Sequence, residues 1–123
     1  MTTWQTFVLA LIMQESGGND MAIGDNGAAH GPLQIHECCV ADVNKYRKAQ
    51  GWKQYKFPSD CYDRKKSESI LTTYLHLYAN KERLGREPTV EDYARIWNGG
   101  PNGYKRKATV KYWEKLKNTH SNP

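Results

Sequence analysis

The sequence predicts a mainly helical α+β domain with one small β-element between its first two helices. Three observations carry this. Apolar residues recur at helical spacing in five separate segments. Glycines close the first four of these. Between the first and second lies a stretch, 19–35, with no helical period and a high content of Gly, Asn and Asp. No internal repeat, low-complexity run or linker interrupts the chain, so residues 1–123 are read as a single domain with one modest core.

In the first helix Trp4, Phe7, Val8, Leu11 and Ile12 form the inner stripe. Thr2 and Gln5 make a capping box, and Gly17–Gly18 stop the helix. "IGDNGAAHGPLQI" reads as a hairpin or irregular sheet turning at Asp25-Asn26-Gly27. The second helix spans about Glu37–Gln50, with Ile35, Cys39, Val43 and Tyr46 on one face and Gly51 beyond its end. "WKQYKFPSDCYD" is a loop. A third helix starts near Ser67, buries Ile70, Leu71, Tyr74, Leu75 and Tyr78, and ends at Gly85. Thr89 and Asp92 box the start of a fourth, which turns Val90, Tyr93, Ala94 and Trp97 inward and breaks at Asn98-Gly99-Gly100-Pro101. The last runs from about 108 to 118 and buries Tyr112, Trp113 and Leu116.

Composition narrows the function classes. A hydrophobic content of 38% with 11% aromatics favours a folded globule over a disordered chain. No apolar run reaches the length of a membrane span. The start, "MTTWQTFVLALIMQES", has neither a basic n-region nor a small-residue cleavage site, so it is read as mature structure rather than a signal peptide. The net charge is +5, and its cations bunch in 45–56 and 104–117. Such clusters are either a solvated face or a surface for a polyanion, nucleic acid or anionic cell wall. No nucleic-acid recognition motif accompanies them, so no nucleic-acid partner is expected.

Cys38, Cys39 and Cys61 are an odd number, so at least one thiol lacks an internal partner. A vicinal bond would be strained. The alternatives are a bridge from Cys38 or Cys39 to Cys61 in an oxidising compartment, or three reduced thiols acting as small hydrophobes. His30, His36 and the cysteines fit no zinc-ligand spacing well, and neither metal nor cofactor is expected.

Glu15 falls on the continuation of the first helix's apolar stripe. If it is buried there, desolvation favours its protonated form, which suits a general acid. If the helix ends early, Glu15 is an ordinary solvated residue. Ten residues on, Asp25 lies at a polar turn rich in N–H donors that would keep it ionised. Two carboxylates in opposite settings match the demands of glycoside hydrolysis. The competing readings are a plain turn aspartate, or Asp20 in the same role.

"ESGG" (15–18), "GPLQI" (31–35), "YLHLYA" (74–79), "DYARIWNGGPNGY" (92–104) and "ATVKYW" (108–113) together resemble the invertebrate-type lysozymes, the destabilase family. The fourth stretch is the most specific, and the resemblance runs in order over roughly 7–117. It implies a lysozyme-like fold and cleavage of the β-1,4 bond between N-acetylmuramic acid and N-acetylglucosamine. It carries the general acid onto Glu15. It carries the second carboxylate, the nucleophile or cation stabiliser of a retaining mechanism, onto Asp25, although the intervening loop is shorter here. Gln34 and Asn98 match positions near the sugar cleft. Gly99 and Gly100 would let backbone approach the sugars, or simply cap the helix. Ile35, Tyr93 and Trp97 complete the candidate substrate-binding set, with Trp97 either stacking on a sugar or filling the core. The implied partner is peptidoglycan or a chitin-like polysaccharide, and the implied location is extracellular or on the cell-wall or periplasmic side.

The departures are a low cysteine count, where animal members are heavily bridged, and Trp97 where histidine is common. A lytic transglycosylase on the same substrate and a non-catalytic wall- or chitin-binding module remain alternatives.

Overall fold

The computed structural model describes residues 1–120, without the side chain of His120. Its order is α1 (Thr3–Ser16), β1 (Ile23–Gly24), β2 (Ala29–His30), α2 (Glu37–Ala49), α3 (Arg64–Tyr78), α4 (Lys81–Leu84), α5 (Val90–Gly99) and α6 (Val110–His120), with 3-10 turns in the connections. The mainly helical α+β class with one small antiparallel sheet is as the sequence predicts. No described helix is long and apolar enough to cross a membrane. The chain divides into two compact units, Ile12–Thr73 and the pair Met1–Leu11 with Tyr74–Pro123, so the boundaries fall inside α1 and α3.

The unit Ile12–Thr73 holds the end of α1, the hairpin, α2 and the first part of α3. Ile12, Ala29, Leu33, Ile35, Val40, Val43, Cys61, Ile70 and Leu71 are its buried apolar residues. The inner face of α2 is one residue away from the expected one: Val40 is buried with Val43, while Cys39 and Tyr46 are half-buried. α3 starts three residues before Ser67, because Asp63 accepts the Lys66 N–H at 3.0 Å and its carbonyl takes the Ser67 N–H at 2.8 Å. No disulfide forms. Cys38 is exposed, Cys39 half-buried and Cys61 fully buried, all as free thiols. Burial pushes the Cys61 thiol up to about 11 and Cys39 higher still, so both remain protonated at neutral pH.

The second unit begins with the boxed start of α1. The Thr2 N–H donates to Gln5 Oε1 at 2.8 Å, and the Gln5 N–H to Thr2 Oγ1 at 3.0 Å. Phe7, Val8, Ala10 and Leu11 are buried here. Trp4 is not, being 37% exposed, with its ring against Phe7 and edge-on to Tyr93. The long third helix expected to reach Gly85 is two helices. Asn80 breaks it by donating to the carbonyls of His76 and Leu77 and by accepting the Arg83 N–H at 2.9 Å, which caps α4. In α6 only Leu116 of the three expected residues is fully buried, with Tyr112 and Trp113 half-buried. Two 3-10 turns, Gly103–Lys105 and Lys107–Thr109, delay its start to Val110.

α5 has the capping box the sequence predicts, and its Asp92 does more than cap. The buried carboxylate accepts the Thr89 N–H at 2.7 Å, the Thr89 hydroxyl at 3.0 Å, and two guanidinium N–H groups of Arg86 at 2.6 and 2.9 Å. Burial alone would raise this acid. The Arg86 and Thr89 hydrogen bonds outweigh it and hold Asp92 below the ordinary aspartate value. A lowered acid stabilises the fold above its unfolded pKa, and that contribution fades as pH falls through the folded one. Asp92→Asn should therefore cost about 1–3 kcal/mol at neutral pH. In urea titrations the deficit should be full above about pH 5 and shrink below about pH 4.

Candidate active site

The predicted site residues fall in both units. Ile12–Thr73 contains both candidate carboxylates, Gln34 and Ile35; the other unit contains Tyr93, Trp97, Asn98, Gly99 and Gly100.

Glu15 lies in the last turn of α1, one turn beyond the buried Leu11 and Ile12, and is half-buried. The helix does not end early, which was the condition for the solvated reading. Gly17 follows at φ 64°, and its N–H still bonds the Met13 carbonyl at 3.0 Å. Ser16 ties off the end, donating to the Ile12 carbonyl and accepting the Gly18 N–H. Asp20 is committed elsewhere. Arg64 Nε donates to its Oδ1 at 2.7 Å and Nη2 lies 2.6 Å from the same oxygen as an ion pair, while Nη2 donates to the Gly18 carbonyl at 2.9 Å. A carboxylate ion-paired and hydrogen-bonded to an arginine in this way ties two segments together.

Asp25 opens the turn of the β1–β2 hairpin, where Ile23 pairs with His30 and Gly24 with Ala29. Asp25 and Asn26 both have left-handed backbones, φ 48° and 55°. Asn tolerates that region and Asp adopts it at some cost. The Asp25 side chain is 68% exposed. Turn amides were expected to hold it, but its partner is the His36 ring, with Nε2 to Oδ2 at 2.8 Å. The sequence reading missed His36. Nothing in the local pattern announces the contact, because the hairpin must form before residues 25 and 36 meet.

Gln34 also has a left-handed backbone, φ 51°. Its side-chain amide donates to the carbonyls of Ala22 (3.2 Å) and Gly31 (3.0 Å), so both N–H directions are used inside the chain. Ile35 is 1% exposed and bridges His30 through the main chain, so its side chain belongs to the core and has no surface to offer a sugar. This corrects its place among the substrate-binding candidates. His30 is buried with its Nδ1 2.6 Å from the Tyr62 hydroxyl. Gly31 is where the hairpin leaves for α2. A Cβ there would lie 1.9 Å from the Cys61 carbonyl oxygen, and its φ is 83°.

In the other unit, Tyr93 is half-buried beside Trp4 and Phe7. Trp97 is half-buried and packs edge-on to Tyr74 with ring centroids 5.7 Å apart. Asn98 is exposed. Gly99 has a packing reason to be glycine, since a Cβ would meet Thr109 Cγ2 at 2.4 Å. Gly100 has a backbone reason, φ 88° with open space where a Cβ would be. Arg83, also missed, fastens the following loop. It donates to the Pro101 carbonyl at 2.5 Å and to Asn102 Oδ1 at 2.8 Å, while its guanidinium lies near the Tyr78 and Tyr104 rings.

No group of three or more His, Cys, Asp or Glu suited to a metal ion occurs among the described residues. The lysines at 45, 48, 53 and 56 are exposed, with Arg47 stacked near Trp52 and Tyr55.

The destabilase family profile matches residues 6–119. Among solved structures, the lysozyme of Tapes japonica is similar at 28% identity and a TM-score of 0.74, over 92% of this chain and 87% of that one. The inhibitor-bound lysozyme from Meretrix lusoria is similar at 26% identity and 0.75, over 93% and 88%. The soluble lytic transglycosylase of Escherichia coli aligns at 22% identity and 0.60, over 94% of this chain but 16% of that one, a likeness of fold alone. No curated protein matches the chain. The chain belongs to the destabilase family, and its fold is lysozyme-like.

Because Gly31 combines a left-handed backbone with a carbonyl where its side chain would be, Gly31→Ala should cost about 2–3 kcal/mol. Gly100→Ala, strained but unobstructed, should cost about 1 kcal/mol. Paired denaturant titrations check the order; equal losses would contradict the packing described at Gly31.

Proposed function

We propose that this destabilase-family chain is a lysozyme, a glycoside hydrolase that cleaves the β-1,4 bond between N-acetylmuramic acid and N-acetylglucosamine in peptidoglycan. The observation that carries the reading is the unlike placement of two carboxylates in a chain matched by the family over 6–119. Glu15 is half-buried at the end of an apolar helix stripe, while Asp25 is exposed on a turn and hydrogen-bonded to His36. Glycoside hydrolysis divides its work between two carboxyl groups set in unlike surroundings, one to give and take a proton and one to meet the anomeric carbon.

In this reading Glu15 protonates the glycosidic oxygen as the bond breaks. Asp25 attacks the anomeric carbon or stabilises its positive charge. Glu15, now ionised, takes a proton from the water that completes hydrolysis with retention. We read the exposed Asn98 amide as a partner for sugar hydroxyls and the half-buried Trp97 ring as a surface on which a sugar stacks. The exposed lysines of 45–56 favour association with an anionic wall. Such a substrate places the enzyme's work outside the cytoplasm.

Glu15→Gln should lower the rate of wall lysis at least about 10³-fold while far-ultraviolet circular dichroism stays unchanged. Full turbidity loss in that variant would sink the assignment. Asp25→Asn should lose about 10²–10⁴-fold. Mass analysis of digested peptidoglycan should show reducing-end products. Anhydro sugars together with an active Asp25→Asn variant would mean a lytic transglycosylase, and binding without turnover a wall-binding module.

A further inference from the structure

We propose that His36 is a positioning residue for the second carboxylate: it holds Asp25 Oδ2 so that Oδ1 is the atom that attacks. The inference rests on the reading of Asp25 as the nucleophile.

Asp25 is poorly placed to orient itself. It is 68% exposed on a turn of two left-handed residues, so packing does little to fix its side-chain torsions. A nucleophile misplaced by an ångström loses much of its rate. Its hydrogen-bond partner among the described residues is His36 Nε2, at 2.8 Å from Oδ2. His36 is itself well mounted. It is the N-cap of the 13-residue helix α2, with extended backbone (φ −95°, ψ 159°), and its carbonyl accepts the Cys39 and Val40 N–H groups. The only other histidine of the hairpin region, His30, is engaged with Tyr62. The imidazole therefore ties a carboxylate on an exposed turn to the start of a helix.

The same bond suits both halves of the reaction. In the first, a lone pair of Oδ1 forms the bond to the anomeric carbon as the carbon–oxygen bond to the leaving sugar breaks. That electron pair leaves on the oxygen that Glu15 protonates. Oδ1 becomes the ester oxygen and Oδ2 the ester carbonyl, still facing the His36 N–H. In the second, water adds to the anomeric carbon and gives its proton to Glu15. The carbon–Oδ1 bond breaks and the negative charge returns to the carboxylate, where the N–H already stands. His36 contributes geometry and a donor, and no proton of its own is transferred.

A merely structural tie between hairpin and α2 would show itself in stability or in KM. The test is steady-state hydrolysis of soluble peptidoglycan fragments by four variants. His36→Phe keeps ring volume without a donor, and His36→Gln keeps an N–H at similar reach. Glu15→Gln and Asp25→Asn are run beside them. His36→Phe should lower kcat about 10- to 100-fold with KM changed less than about twofold, and His36→Gln should recover most of the loss. Wild-type kcat in His36→Phe, a loss confined to KM, or equal losses in both His36 variants would each overturn the positioning role while an inactive Asp25→Asn leaves the catalytic reading standing. An active Asp25→Asn removes that reading instead, and this inference with it.

Discussion

Everything proposed for Asp25 depends on the side-chain amide of Gln34. A two-residue ladder cannot hold a hairpin in water, and β1 and β2 are two residues each. The Ala22 carbonyl accepts the Gly31 N–H and the Gln34 amide together, and the Gly31 carbonyl accepts the Gln34 backbone N–H and the same amide. One side chain thus stitches the base of the hairpin across both of its legs. The fit leaves no room for a side chain on Gly24, where a Cβ would meet Gln34 Oε1 at 2.2 Å. In "GPLQI" the glutamine therefore has a structural duty, independent of any contact with sugar.

The same economy recurs across both units in the arginines. Arg47 donates to the Lys53 carbonyl, Arg64 to that of Gly18, Arg83 to those of Tyr78 and Pro101, and Arg95 to that of Arg106. Each fixes a segment with little apolar surface of its own. A planar guanidinium can hold a carbonyl and a second acceptor at once, and Arg64, Arg83 and Arg95 do so through Asp20, Asn102 and Thr109.

What the sequence made legible follows from the range of the interactions. Capping boxes at Thr2–Gln5 and Thr89–Asp92, the inner stripes of α1 and α3, and the hairpin turn at Asp25–Gly27 are local, and spacing alone reports them. The long-range terms were invisible. No periodicity links Asp25 to His36, Asp20 to Arg64, or Gly31 to Cys61. The break at Asn80 was missed for the opposite reason: the apolar stripe continues past it, while the competing side-chain hydrogen bonds are local but unpatterned. Glu15 was legible as an oddity of the stripe. Ile35 was misplaced because a motif borrowed from a family does not tell which of its residues face inward.

The free thiols carry a further consequence. Cys61 is fully buried, and burial keeps both it and Cys39 protonated. Neither is a ready substrate for oxidation, and no covalent crosslink has to form for the fold to close. The mature shape is therefore available to the nascent chain in a reducing cytoplasm as well as in an oxidising exterior. A chain built this way needs no disulfide isomerase on its route from ribosome to folded protein.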